Sequence, residues 1–308
     1  MVLAMLEERF RIRESFSVRW LALAAPLALT CSAMAQGGVL PLKDYSDTSI
    51  QAVPPRTWAV EAAANELVAL HHIGSYLRYR MHVIDEKGDQ MRDVIESKDG
   101  TVARLIMRNS RPLTDEEDQA ERQRLADQLA SPSAFAKHIN KEESGRKMAD
   151  DMIKLMPDAM IYTYAPGQPQ SKSSSETPQV VLDYKPNPKF SAPTTTSEAL
   201  SGLEGRMWID AKTQQLVRME GTIFQPVNLG WGMLAHIYPG GRLVLEQTNA
   251  SGQRWIFTHF SQQVSVRALM VKTLNVKTNV DAAEFQTLLD PLRYQDAIHV
   301  LLDTPLPR

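Results

Sequence analysis

Leu203-Glu204-Gly205-Arg206-Met207-Trp208-Ile209-Asp210 and, after the turn residues Ala211 to Gln214, Leu216-Val217-Arg218-Met219-Glu220-Gly221-Thr222-Ile223 form the stretch on which the fold turns. Met207 and Ile209 alternate with Arg206, Trp208 and Asp210, and Val217, Met219 and Ile223 take up the alternation on the return. A period of two sends successive side chains to opposite faces of a strand, so these residues predict a β-hairpin with one apolar face. Parity then predicts Met207, Ile209, Val217 and Met219 on the inner face. A one-residue slip would bring Trp208 and Leu216 inward instead.

Working outward, the same signals recur. Toward the C-terminus, strands are predicted near Gly230 to His236, Arg242 to Thr248, Arg254 to Phe260 and Val264 to Lys277, with turns at Pro239 to Gly241 and Asn249 to Gly252. Toward the N-terminus, Ala159 to Tyr164 and Val180 to Tyr184 read as strands, separated by the Ser/Gln/Pro-rich stretch Gly167 to Pro178. Further back, Leu77, Tyr79, Met81 and Val83 alternate with Arg78, Arg80 and His82, and turns at Asp85 to Asp89 and Lys98 to Gly100 set two more strands beside them.

Three places break the β pattern. Val60, Ala63, Leu67 and Leu70 recur at helical spacing between Thr57 and His72. Thr114 with Glu117 three residues on is a capping box, and it opens a helical insertion at about 111–157. Within it a second helix, Glu143 to Met156, puts Met148, Met152, Ile153 and Met156 on one face and is expected to stop at Pro157. Asp281 with Glu284 resembles a further cap and predicts a helical tail at about 281–302. Strands in runs, with helices confined to a start, an insertion and a tail, indicate an α+β fold with an antiparallel sheet; the βαβ alternation of nucleotide-binding sheets is missing. The chain from 36 to 308 reads as a single domain.

The 308 residues carry 34 Lys and Arg against 36 Asp and Glu, which leaves no basic excess for nucleic acid. The first 35 residues read as an export leader. Arg9, Arg11, Arg13 and Arg19 precede an apolar run from Trp20 to Leu29, and Ala33 and Ala35 form an A-x-A site with cutting after Ala35. That run is shorter than the roughly 20 residues a membrane span requires, so a periplasmic protein without a stable membrane span is expected. The single cysteine, Cys31, lies within the leader, so the mature chain would hold no thiol and no disulfide.

The order of leader, helix, three-strand meander, helical insertion and hairpins around Leu203 to Asp210 resembles the outer-membrane lipoprotein-sorting and carrier superfamily, the LolA-like proteins. Within it the chain looks most like uncharacterised secreted bacterial members that share Pro186-Asn187-Pro188, Gly230-Trp231-Gly232 and Tyr238-Pro239-Gly240-Gly241. The resemblance covers most of residues 57 to 278. It implies a strongly curved, incomplete β-barrel whose concave face is covered by helices and accepts acyl chains or a lipidated protein. The insertion from Arg111 to Pro157 is longer and more charged than a simple lid, and no position matches a lid-holding arginine. The residues expected to line the hollow are Met207, Ile209, Val217 and Met219, with Met152 and Met156 above them. Unbranched thioether side chains suit a site that accepts variable shapes, although the same spacing also suits a permanent core.

The residues that could carry chemistry are scattered. His71 and His72 close the first helix, where an imidazolium meets a favourable dipole, while His82, His236 and His259 fall in separate predicted strands. There is no H-E-x-x-H, no G-x-S-x-G and no P-loop. Gly230, Gly232 and Ala235 match the dinucleotide fingerprint only loosely and sit among hairpins. The pairs Asp150 and Asp151, and Glu142 and Glu143, read as solvated helix faces. Trp208, Trp231 and Trp255 suit either a core or a cleft for lipid or glycan. Neither an enzyme nor a cofactor or metal is expected. The alternative to a carrier is an envelope interaction or sensory module with the same fold and a filled interior, docking another envelope protein.

Overall fold

The structure is a computed structural model that describes residues 52–71, 76–168, 178–250, 254–268 and 271–307. The expected leader, its cleavage site and Cys31 lie outside the described residues. The chain opens with α1 (Pro55–His71) and then a meander of β1 (Tyr76–Asp85), β2 (Gly88–Ser97), β3 (Gly100–Arg108) and the short β4 (Arg111–Pro112). Gly88 and Gly100 hold the two tight turns with φ of 103° and 124°, a region that glycine enters without steric cost.

The capping box forms as the sequence predicts. Glu117 N–H donates to Thr114 Oγ1 at 3.3 Å, and the Glu117 carboxylate accepts from Thr114 N–H at 3.0 Å, opening α2 (Asp115–Ala130). Ser131 ends that helix and caps α3 (Pro132–Ala159). The second helix of the insertion therefore starts earlier than Glu143 and does not stop at Pro157. Its last turn survives the proline because outside groups hold its carbonyls: Tyr162 Oη donates to Met156 O at 2.8 Å, and Arg56 Nε to Pro157 O at 3.1 Å.

Next come β5 (Met160–Tyr164), β6 (Gln179–Pro186), a 3₁₀ turn (Ser197–Gly202), β7 (Leu203–Asp210), β8 (Leu216–Ile223), β9 (Val227–Leu229), β10 (Ala235–Ile237), β11 (Arg242–Asn249), β12 (Trp255–Ala268), β13 (Lys272–Leu288) and α4 (Tyr294–Asp303). The strands form one antiparallel sheet in the order β4-β3-β2-β1-β13-β12-β11-β8-β7-β6-β5, which does not close into a barrel. The α+β class and the antiparallel sheet are as expected.

Three predicted elements are corrected. Of the expected strand Gly230 to His236, Gly230 to Leu234 form the bend between β9 and β10, with Gly230 and Gly232 both at positive φ, and Ala235 and His236 alone are strand, at the start of β10. The expected strands Arg254 to Phe260 and Val264 to Lys277 instead divide at the β12–β13 turn. Most far-reaching, Asp281 to Leu288 is strand, and the helical tail is confined to Tyr294–Asp303. Asp281 and Glu284 do not cap a helix. Asp281 Oδ1 lies 2.6 Å from His259 Nδ1, and Glu284 pairs with Arg80 at 3.2 Å. Glu284 has φ 58° beside a register shift between Arg78 and Arg80, so it marks a β-bulge.

The main core includes Trp58, Tyr79, Val94, Leu182, Ile209 and Phe260. A second cluster, Ile95, Val102, Leu125, Ala297, Ile298 and Leu301, fastens α4 to β2, β3 and α2. There the fully buried Arg104 donates to Leu301 O at 2.5 Å and Thr304 O at 2.7 Å, and pairs with Asp118 at 2.7 Å. Among the described residues no helix is long and apolar enough to cross a membrane.

Candidate functional site

Between α1, α3 and the face of strands β7 to β13 lies a cavity of about 580 Å³, within the range of sites that take small apolar ligands. Its shape follows from side-chain size. The roof from α1 is Ala59, Ala62, Ala63 and Glu66, at i, i+3, i+4 and i+7, so three of four inward side chains stop at Cβ and leave the space unfilled. From α3 come Ala149, Met152, Ile153 and Met156. The floor is the alternating inward set of the strands, among them Met207 on β7, Met219 on β8, Leu245 on β11, and Phe260, Val264 and Val266 on β12.

Four of the six residues expected to line this space do so: Met152, Met156, Met207 and Met219. Ile209 is fully buried but packs in the core beyond the cavity wall. Val217 is the correction. The pairing runs Trp208↔Arg218 and then Ile209↔Leu216, so Val217 is an extra residue bulged out of β8. The bulge flips parity along the strand, which brings Leu216 inward together with Met219 and leaves Val217 half-buried off the wall. Trp208, its partner in the slipped register, stays out, with the Arg218 guanidinium 5.6 Å from its ring centre. The inward set of the hairpin is therefore Met207 on β7 with Leu216 and Met219 on β8. Met148 is half-buried and is not a wall residue.

The wall has polar points at Glu66, Tyr162, Gln262, Arg242 and Lys272. Glu66 accepts from Gln247 Nε2 at 2.8 Å, while its Oε1 is buried without a hydrogen-bond partner. Burial pushes its pKa from 4.5 up to about 7, against the opposing hydrogen bonds from Gln247 and the Leu216 backbone. Glu66 was missed in the sequence, although the stripe Ala59, Ala62, Ala63, Glu66 places one acid on an otherwise apolar helix face. Burial also raises the Tyr162 and Tyr184 phenols, which stay neutral donors to the Met156 and Glu220 carbonyls.

Strand register gives the cavity an axis. Glu66, Leu216 and Gln247 mark one end, and the exposed wall residues Arg242, Val271 and Lys272 mark the other. From Leu216 to Ile223 the wall runs roughly 23 Å at the strand rise. At the exposed end the β9–β10 bend carries Trp231, 90% exposed, and Met233, 55% exposed, next to wall residues Leu229, Leu234 and Ala235.

Among the described residues the histidines do not converge. His82 Nε2 lies 2.7 Å from Asp89, His236 Nδ1 2.7 Å from Asn228 and His259 Nδ1 2.6 Å from Asp281. Ser110 Oγ donates to the other oxygen of Asp89 at 2.8 Å, so the carboxylate stands between hydroxyl and imidazole and the pattern is not that of a nucleophile with its base. No group of three or more His, Cys, Asp or Glu residues is placed to hold a metal ion among the described residues. Asp150 accepts from Lys154 at 2.5 Å and lies 2.6 Å from His71, so it serves to join α1 to α3.

No family model, no curated protein and no solved structure matches the chain.

Proposed function

We propose that the protein is a non-enzymatic carrier that holds acyl chains, free or on a lipidated protein, in the apolar interior of a curved half-barrel covered by α1 and α3, and that it works in the periplasm after removal of a leader ending at Ala35. The observation that carries the reading is the 580 Å³ cavity with four methionines in its wall. Burying an acyl chain there gains about 0.8 kcal/mol per CH₂, and thioether side chains adjust to chains of different shape. The exposed Trp231 and Met233 give an arriving apolar chain a surface to cross at the open end. The resemblance in order of elements to lipoprotein carriers agrees with this reading, and the long charged insertion departs from it.

Mass spectrometry of gently purified protein tests the proposal and should reveal co-purifying lipid. A protein that is clean and also ignores a fluorescent fatty-acid probe overturns it. Ala63→Phe places a ring in the space below α1 and should lower probe affinity at least tenfold while leaving the fold intact, because the added ring is itself buried in apolar surroundings. The interaction-module alternative requires a filled interior, and the unfilled space under the alanines of α1 speaks for the carrier.

A further inference from the structure

We infer that the inner end of the cavity is a hydrogen-bonding subsite in which Glu66 receives a hydroxyl at the leading end of an otherwise apolar ligand. The inference rests on the carrier reading and narrows its ligand class. An acid at the end of an apolar pocket carries a large desolvation penalty, and a structure that needed only acyl chain would place a Leu or Met there.

The polar atoms around Glu66 do not complete its hydrogen bonding. Gln247 Nε2 donates to Oε2 and the Leu216 backbone N–H also faces the carboxylate, yet Oε1 is buried with no hydrogen-bond partner of its own. The last torsion of a glutamate side chain is soft, so the inference requires the carboxyl of this wall residue to turn until Oε1 faces the cavity. Because Oε2 already accepts from Gln247, a proton on the neutral acid belongs on Oε1, which then donates. In the ionised acid the same oxygen accepts. A carbonyl or ether could satisfy only the first state and a purely donating group only the second, whereas a hydroxyl satisfies both. Wall residues near this end include Ala62, Ala63 and Leu216, none of which carries a hydrogen-bonding side chain.

The far end is compatible with a ligand that is polar at both tips. Lys272 shares the inward parity of Leu274 on β13 and stands exposed at the rim, where an ammonium meets a carboxylate head. An ω-hydroxy fatty acid therefore fits the axis, its carboxylate at the rim and its hydroxyl at Glu66.

Competition between a dansyl fatty-acid probe and either palmitate or ω-hydroxypalmitate tests the subsite. The hydroxy acid should displace the probe at a concentration roughly fivefold lower than palmitate, the worth of one neutral hydrogen bond. Glu66→Leu should reverse that order while retaining palmitate binding. Glu66→Gln, which keeps an acceptor and a donor in place, should preserve the order, and it serves as the test should the leucine variant fold poorly. Equal competition in the unaltered protein, or a hydroxyl preference that survives Glu66→Leu, overturns the inference and leaves the carrier reading standing. Failure of the probe and both acids to bind at all would instead bring down the carrier reading, and the subsite with it.

Discussion

Glu66 combines an apolar setting, donors from Gln247 and the Leu216 backbone, and a pKa near 7 where an exposed glutamate would have 4.5. Between those two values the folded chain holds a proton that the unfolded chain has released, so stability should fall as pH rises through the window and level off above it. No charged side chain contributes to the shift: β11 presents Gln247, β8 the Leu216 backbone, and α3 apolar wall residues. The full span amounts to about 3 kcal/mol. Urea unfolding at about pH 5 and about pH 8 should show most of it in the unaltered protein, and Glu66→Gln should remove this residue's share. An unchanged pH slope in the variant would mean that the carboxyl is ionised in the fold at neutral pH.

The hairpin of β7 and β8 shows how a single inserted residue changes which side chains matter. Leu216 is buried against the cavity and Val217 is bulged away. Leu216→Ala should therefore cost about 2 to 4 kcal/mol, while Val217→Thr should stay within about 0.5 kcal/mol, as read by denaturant midpoints. Equal losses would place the bulge elsewhere. At α4 the controlling contact is ionic. Arg104→Met leaves Asp118 and two carbonyls short of a buried donor and should cost about 3 to 5 kcal/mol, with earlier proteolysis near the C-terminal helix.

The elements that were legible in the sequence share a cause. Periodic apolar residues and caps act locally, so the meander, Thr114 with its helix, and Met207 with Met219 could be read directly. The elements that were not legible depend on contacts between distant parts of the chain. The Val217 bulge is a backbone event with no residue signature, and Asp281 with Glu284 mimics a cap because cross-strand partners His259 and Arg80 are remote in sequence. The position of β13 between β1 and β12 is likewise invisible to any local pattern. Glu66 could have been flagged, since an acid closing an alanine stripe conflicts with the stripe's own logic.

Under the carrier proposal, the stability of the whole molecule is linked to occupancy. A lipid that binds only the folded state adds roughly 2.7 kcal/mol at a hundredfold excess over its dissociation constant, so stripping lipid should lower the melting temperature and adding it back should restore it. A melting temperature indifferent to delipidation would show that the interior does not need an occupant.

Any occupant would leave past a weakly paired part of the sheet. Near its end β12 abandons β11 and pairs with β10 through Ala235↔Ala268, His236↔Arg267 and Ile237↔Val266, while β9 has β10 as its one strand partner and Gly230 N–H, just past its end, donates to the Glu198 carboxylate of the 3₁₀ turn at 2.8 Å. A two-strand flap held by so few rungs, the Glu198 contact and the minor cluster of Val227, Leu229, Ala235 and Ile237 can detach at the expense of those contacts while the remainder of the sheet keeps its ladder. Residence time would then be set by the flap and selectivity by the chamber behind it, two properties that mutation could alter one at a time.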